Sequence, residues 1–333
     1  MKNKKNFAVI GGGSWATAIV KILTESLDEV HWYMRNQKAI KHLQEEGNNP
    51  NYLSAVKFDQ KKLILTVDIN KAVENADYLI FVIPSAFLYE ELQKLNLSLE
   101  NKVIYSAIKG IVPETGLIVG EYFHQYHQIP YQNIGVISGP CHAEEVALGR
   151  LSYLTIACKD KNKAQLLADI FNNHYINCMV SQDIMGTEYA AMLKNIYAIA
   201  AGIYHALGYG DNFQSVLMSN AIRETERFIK NIDQTKRNIN DSAYLGDLLV
   251  TGYSSFSRNR MLGNMIGKGY TVQNAQLEMS MIAEGYYAAR CAYQLNYNQP
   301  QPVDIPIIEA VYKVLYQQEN PSEIMLNLTK KLN

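Results

Sequence analysis

The sequence predicts an α/β protein: a doubly wound, mostly parallel sheet in the N-terminal half, followed by a second, all-helical domain. Three observations predict it. Short, fully apolar strand patterns alternate with helical patterns from Phe7 to Val180. A glycine-rich turn joins the first strand to the first helix. From Thr187 onward the periodicity is helical and no convincing strand recurs. The break near Gln182 to Gly186 places the expected domains at 1–185 and 186–333.

Composition sets the outer bounds. A chain of 333 residues is long enough for two ordinary domains and a large core. The formal net charge of −1 creates no global field to recruit nucleic acid or an anionic membrane. The basic start, Met1-Lys-Asn-Lys-Lys, runs into an apolar segment, Phe7 to Ile10, that is too short for a secretion signal. No apolar run approaches the roughly 18 residues that a membrane helix needs. The cysteines Cys141, Cys158, Cys178 and Cys291 are scattered without C-x-x-C spacing, as reduced thiols in a cytoplasm would be. The expectation is a cytoplasmic protein with a small-molecule partner, no nucleic acid and no membrane.

The first element is the strand Phe7-Ala-Val-Ile10. The turn Gly11-Gly-Gly-Ser-Trp-Ala16 follows, then a helix from Thr17 to Leu23. The frame Gly11-x-Gly13-x-x-Ala16 fits a dinucleotide-binding turn with Ala in its third place. The first Gly permits the tight turn, the second lets backbone approach a pyrophosphate, and the small third residue lets helix and strand pack closely. The phosphates would meet free N–H groups at the helix N-terminus. The second strand, Val30-His-Trp-Tyr-Met34, ends in Arg35-Asn36 and carries no acid for a ribose 2′-hydroxyl. Arg35 can face a 2′-phosphate, so NADPH is expected to be accepted as well as NADH. The alternative for Arg35 is a solvated loop cation.

The alternation continues with strands at Leu63–Val67, Asp77–Ile83, Val103–Ala107, Ile134–Ser138, Tyr153–Ala157 and Ile176–Val180. Helical patterns fall at Ile69–Ala76, Ala86–Leu95 and Leu117–Tyr126. Ligands of such sheets bind outside the carboxyl ends of the strands. Pro84-Ser85, Lys109-Gly110 and Ser138-Gly-Pro140 all sit at such ends. His124 and His127 lie three apart on a helix, but no further ligand cluster accompanies them, so no metal is expected. His142, beside Ser138-Gly-Pro-Cys141, is near the presumed crevice.

In the second half, Glu188 to Ile203 is the longest Ala-rich apolar run, with Lys194 and Asn195 in its middle. A helix apolar nearly all round belongs in an interior. A buried ammonium needs partners or loses its proton; the plainer reading is a lysine that snorkels to the surface. Downstream, Tyr244-Leu-Gly-Asp247-Leu-Leu-Val-Thr251 sets one acid against an apolar face. Ser255-Phe-Ser257-Arg258-Asn259-Arg260 is a dense cluster of donors that suits an anion, or else a helix start with a solvated face.

Taken together these stretches resemble the bacterial-type NAD(P)-dependent glycerol-3-phosphate dehydrogenases, over essentially the whole chain. Val9-Ile-Gly-Gly-Gly-Ser-Trp-Ala-Thr-Ala18, Ser106-Ala-Ile-Lys-Gly110, Ser138-Gly-Pro-Cys-His-Ala143, Leu193-Lys-Asn195, the block Asp247-Leu with Thr251 and Ser257-Arg-Asn259, and Ala283-Glu-Gly285 carry the likeness, in order. The resemblance implies an N-terminal Rossmann domain, a helical C-terminal domain with the substrate between them, and a homodimer. It implies that Ser14, Trp15, Arg35, Lys109, Ala143, Arg258, Ile282 and Glu284, with Gly11 and Gly13, contact the NADH or NADPH cofactor. It also implies that Lys109, Gly139, Cys141, Lys194, Asp247, Ser257, Arg258 and Asn259 hold the substrate, with Lys194 as the catalytic base. Two departures stand out: Ala16 replaces the usual third Gly, and Cys141 stands where the family usually has Ser or Thr, so one contact has a weaker donor.

The implied reaction interconverts sn-glycerol 3-phosphate and dihydroxyacetone phosphate, and would supply a phospholipid precursor. A free lysine titrates near pH 10.4, too high for efficient base work at neutral pH. Burial and a second cation, Lys109, would both lower Lys194, and Asp247 would oppose them. Two rival readings are a two-domain dehydrogenase of a sugar acid or keto acid, and a non-catalytic NAD(P) sensor. Ser257-Arg-Asn259 and Asp247 speak against the first, and the presence of both lysines against the second.

Overall fold

The computed structural model describes residues 5–279 and 282–333. By contact the chain forms two compact units. One comprises the chain to Ile108 together with Val119–Ile184; the other comprises Lys109–Ile118 together with the chain from Met185. The boundary drawn on sequence at 185/186 treats the first part as continuous. The excursion Lys109–Ile118, which carries one of the expected substrate residues, packs instead with the second unit.

The first unit is built on β1 (Phe7–Ile10), β2 (Val30–Tyr33), β3 (Leu63–Thr66), β4 (Tyr78–Phe81) and β5 (Val103–Ser106). The excursion holds a small antiparallel pair, β6 (Ile111–Val112) and β7 (Leu117–Ile118). The sheet is completed by β8 (Ile134–Ser138), β9 (Ser152–Cys158) and β10 (Ile176–Ser181). Its eight strands run in the order β10-β9-β8-β5-β4-β1-β2-β3. All neighbours are parallel except β8 and β9, which pair antiparallel through Gly135 and Cys158. Strands such as Phe7-Ala-Val-Ile10 and Val103-Ile-Tyr-Ser106 are buried at every position, as sheets covered on both faces require.

Helices α1 (Ser14–Ser26), α2 (Gln37–Glu46), α3 (Ile69–Glu74), α4 (Leu88–Leu92), α5 (Val119–His127), α6 (Ala143–Ala147) and α7 (Lys161–Phe171) belong to this unit. Several start where a side chain can satisfy the first free N–H groups. Asn36, Asp68 and Asp160 each accept from the backbone N–H of the second residue of α2, α3 and α7, and Asn36 and Asp160 also from the third. Two expected helices are shorter than their patterns. Ala86–Leu95 opens as a 3₁₀ turn after Pro84 and closes in tight turns at Lys94 and Leu95, leaving α4 only five residues. Leu117–Tyr126 gives its first two residues to β7, because the turn at Gly116 (φ +71°) folds them back against Ile111 and Val112.

The second unit holds α8 (Ile184–Ala206), α9 (Asp211–Ile232), α10 (Asp247–Tyr253), α11 (Arg258–Gly267), α12 (Val272–Glu278), α13 (Glu284–Tyr297), α14 (Pro306–Tyr316) and α15 (Pro321–Thr329). Helix α8 begins at Ile184, so only Gln182 and Asp183 separate it from β10. Every residue from Gly186 to Tyr204 is buried, polar ones included. Its crossing with α11 is backbone on backbone. A Cβ added at Gly202 would lie 2.0 Å from the Arg260 carbonyl oxygen, and one at Gly263 would lie 2.0 Å from that of Ile199. The buried Glu224 on α9 accepts from the N–H groups of Ile307 and Ile308, at 2.9 Å each, and so caps α14. No described helix is long and apolar enough to cross a membrane.

Candidate active site

In the first unit the glycine turn closes against the sheet. Gly11 adopts φ +141°, and a Cβ there would stand 2.4 Å from the Val82 carbonyl oxygen, so only glycine fits. The Trp32 indole N–H donates to the Gly11 carbonyl at 2.7 Å. Buried Asn49 donates to the Gly12 carbonyl at 3.1 Å and to the Thr17 hydroxyl at 2.9 Å. Gly13 is the N-cap of α1 with no side chain capping it, and nothing stands within 4 Å of where its Cβ would be. These residues fit a dinucleotide pyrophosphate: a rigid turn, an open helix N-terminus and room for close backbone approach. Ser14 and Trp15 open that helix, Ala143 opens α6, and Gly139 (φ +122°) turns the chain close before the buried thiol of Cys141.

Arg35 stands past the end of β2, as its number implies. Its guanidinium lies over the Phe87 ring, 5.1 Å from the centroid, and 3.9 Å from the Glu91 carboxylate.

In the second unit the lysine of α8 does not snorkel. Lys194 is 5% exposed and donates to the Asp247 carboxylate, itself 1% exposed at the start of α10. A π-helical turn, Ser242–Gly246, feeds directly into α10 and sets the angle at which Asp247 enters. The other Asp247 oxygen lies 3.9 Å from the Lys109 ammonium. The excursion 109–118 thus delivers a second cation to the same acid. Asn195, next to the lysine, donates to the Lys109 carbonyl at 2.7 Å and holds that delivery in place.

The electrostatics follow. Burial is the largest influence on Lys194 and lowers it from 10.5 to about 7. Asp247 pushes the other way, and Lys109 adds a smaller lowering. Burial thus contributes more of the lowering than Lys109 does, and exceeds the opposing pull of Asp247.

Ser257 is the N-cap of α11, its hydroxyl accepting from the Arg260 N–H at 3.3 Å. It keeps its own O–H to donate. Arg258 and Asn259 are the first two residues of that helix, where free N–H groups and the dipole favour an anion. Asn259 is committed on one side, accepting from the Gly285 N–H at 2.8 Å. A Cβ at Gly285 would meet the Asn195 carbonyl oxygen at 2.6 Å, so α8, α11 and the start of α13 converge there. Glu284 is the first residue of α13, and Ile282 precedes its N-cap.

The predicted site residues thus fall into two sets. Gly11, Gly13, Ser14, Trp15, Arg35, Gly139, Cys141 and Ala143 lie in the first unit, and Lys109, Lys194, Asp247, Ser257, Arg258, Asn259, Ile282 and Glu284 in the second. Sequence reasoning missed the supporting roles of Asn49, Glu91, Asn195 and Gly285. Two of these had a cue: Asn195, as a polar residue beside the lysine in an apolar run, and Gly285, as the end of Ala283-Glu-Gly285. Among the described residues no group of His, Cys, Asp and Glu could hold a metal ion.

A nucleotide turn on a doubly wound sheet, with a buried lysine–carboxylate pair on a helical unit, defines a two-domain nicotinamide-dependent dehydrogenase. Comparison with known proteins makes this particular. Residues 6–164 match the model for the NAD-dependent glycerol-3-phosphate dehydrogenase N-terminus, and residues 183–326 match that for its C-terminus. The chain belongs to this family. It is 33% identical over 330 residues to the glycerol-3-phosphate dehydrogenase [NAD(P)+] of Streptococcus sanguinis, covering 98% of this chain and 96% of the relative. It is 35% identical over 317 residues to that of Latilactobacillus sakei, covering 94% and 92%. The crystal structure of glycerol-3-phosphate dehydrogenase from Coxiella burnetii superposes with a TM-score of 0.88 at 25% identity, covering 98% and 99%. D-mandelate dehydrogenase, at 15% identity and a TM-score of 0.61, shares the fold alone.

Proposed function

We propose that this chain interconverts sn-glycerol 3-phosphate and dihydroxyacetone phosphate with NAD(P), and that Lys194 is the general acid/base. The observation that carries the assignment is the buried ammonium of Lys194 held by Asp247 and faced by Lys109. The nicotinamide supplies the hydride acceptor in one direction and the donor in the other. Lys194, neutral for a useful fraction of the time near pH 7, takes the proton of the C2 hydroxyl during oxidation and returns it during ketone reduction. Lys109, whose ammonium lies beside Asp247, steadies the charge that builds on the C2 oxygen. Asp247 holds Lys194 in one orientation, so the proton moves along a fixed line. Ser257, Arg258, Asn259 and the N-terminus of α11 hold the phosphate, whose binding energy positions C2. Gly139 and Cys141 complete the substrate contacts. Gly11, Gly13, Ser14, Trp15, Ala143, Ile282 and Glu284 hold the cofactor, which Lys109 and Arg258 also touch, and Arg35 receives a 2′-phosphate.

The chain works as a cytoplasmic homodimer and provides glycerol 3-phosphate for phospholipid synthesis. A keto-acid substrate is disfavoured by the phosphate-type cluster Ser257-Arg258-Asn259 at a helix start.

The test is oxidation of NADH and of NADPH by dihydroxyacetone phosphate, beside a panel of keto acids. Turnover is expected with dihydroxyacetone phosphate and with both cofactors. Absence of turnover with either cofactor, or faster reduction of a keto acid, overturns the reading. Lys194→Ala should cut kcat by about 10²- to 10⁴-fold with little change in cofactor affinity; near-native turnover would remove Lys194 from the base role.

A further inference from the structure

The end of β2 lacks the acid that a ribose 2′-hydroxyl usually meets, yet the fold supplies one from elsewhere. Glu91, on α4, is 2% exposed. Tyr33, the last residue of β2, donates its hydroxyl to it. Lys94 reaches both carboxylate oxygens, at 3.2 and 3.1 Å. Arg35 lies 3.9 Å from Oε2 of the same carboxylate, half exposed, with its guanidinium carbon 5.1 Å from the Phe87 ring centroid. A buried carboxylate is costly unless it is paired and hydrogen-bonded. Here it is paired twice, and one of the two cations is the residue read above as the 2′-phosphate contact.

From this geometry we infer that Glu91 is a specificity-determining residue: it supplies the counter-charge for Arg35 when the cofactor carries only a 2′-hydroxyl, competes with a 2′-phosphate for the same guanidinium, and so limits the preference for NADPH over NADH. The inference rests on the reading of Arg35 as the 2′-phosphate residue. Phe87 gives the guanidinium a second contact, 5.1 Å from its ring centroid, that does not depend on Glu91. What Glu91 adds is charge. With NADH bound, the Arg35–Glu91 pair is neutral and nothing is left uncompensated. With NADPH bound, the 2′-phosphate competes with Glu91 for Arg35 and feels the repulsion of the carboxylate. Lys94 takes up part of the Glu91 charge and so softens that repulsion.

The experiment is calorimetric titration of NADPH, NADH and 2′,5′-ADP into the wild-type protein and its variants, at low and high salt. Glu91→Gln should tighten NADPH and 2′,5′-ADP about fivefold and leave NADH within about twofold, with the gain shrinking in high salt. Lys94→Met removes a half-exposed cation and leaves Glu91 less compensated; it should weaken NADPH selectively, opposite in sign. It stands as the independent test if Glu91→Gln melts early. Arg35→Ala should weaken NADPH and 2′,5′-ADP, but not NADH. If Arg35→Ala shows no such selectivity, the Arg35 reading falls, and the inference falls with it. If Arg35→Ala is selective but Glu91→Gln leaves the NADPH-to-NADH ratio unchanged, or lowers it, the role of Glu91 alone is overturned.

Discussion

Lys194 donates a hydrogen bond to Asp247 inside the second unit, although 53 positions separate them and both side chains are 5% exposed or less. An ammonium placed on an apolar helix is neither stranded nor led to the surface. It is buried against one carboxylate that a second lysine shares. Three charges, two positive and one negative, make a group whose proton inventory is set by burial and tuned by partners.

The pH dependence follows with opposite signs for the two directions. Alcohol oxidation needs Lys194 neutral, so kcat/KM should rise with a slope of about one as pH climbs to about 7, then level. Ketone reduction needs Lys194 protonated, so its rate should fall above about 7. Steady-state rates in both directions at constant ionic strength check this; a flat profile between pH 6 and about 9 would contradict it.

Neutralising the partners should move that limb in opposite directions. Asp247 raises Lys194, so Asp247→Asn should shift the limb to lower pH, and Lys109 lowers it, so Lys109→Met should shift it upward. Because burial is the largest influence, neither change should return Lys194 to the usual lysine range. Both variants will also lose turnover, so the position of the limb, read from the pH profile, is the informative quantity.

Arg258→Ala should raise KM for glycerol 3-phosphate by about 10- to 100-fold, the size of one charge-assisted contact to phosphate. At saturating cofactor, activity toward unphosphorylated glycerol should hardly change. An equal loss with both substrates would mean that Arg258 acts on something other than the phosphate.

The crossing of α8 and α11 should be intolerant of any side chain. Gly202→Ala places a methyl 2.0 Å from the Arg260 carbonyl, and Gly263→Ala does the same against Ile199. Each should cost about 2–4 kcal/mol and lower Tm, because packed backbones cannot give way as side chains can. Since α11 begins at Arg258 and α8 carries Lys194, separation of the helices should also weaken phosphate binding. Thermal melts and glycerol 3-phosphate titrations would show both losses together.

The glycine turn could be read directly because its requirement is local: Gly11 needs a positive φ, and Gly13 needs open space at a helix start. The strands were equally legible, since a sheet covered on both faces demands unbroken apolar runs. Glu91 was not legible. It sits in Tyr89-Glu-Glu-Leu92, which reads as a solvated helix face, and only the sheet places it beside the end of β2. Asn49, in a polar loop, was hidden for the same reason. The excursion 109–118 was read as part of a continuous first domain, because nothing in its composition says which unit its apolar residues Ile111 and Ile118 will join.

The sequence by itself determined the two-part α/β and helical plan, the nucleotide turn and the family, because these depend on spacing within short segments. It also named Lys194, whose own stretch reads as a snorkelling cation and which the motifs around it recast as a base. The tertiary structure decided that the side chain is buried against Asp247. A proton on a buried lysine depends on the charges and the burial around it, and those come from α10 and from the Lys109 segment, remote in sequence and adjacent only in space.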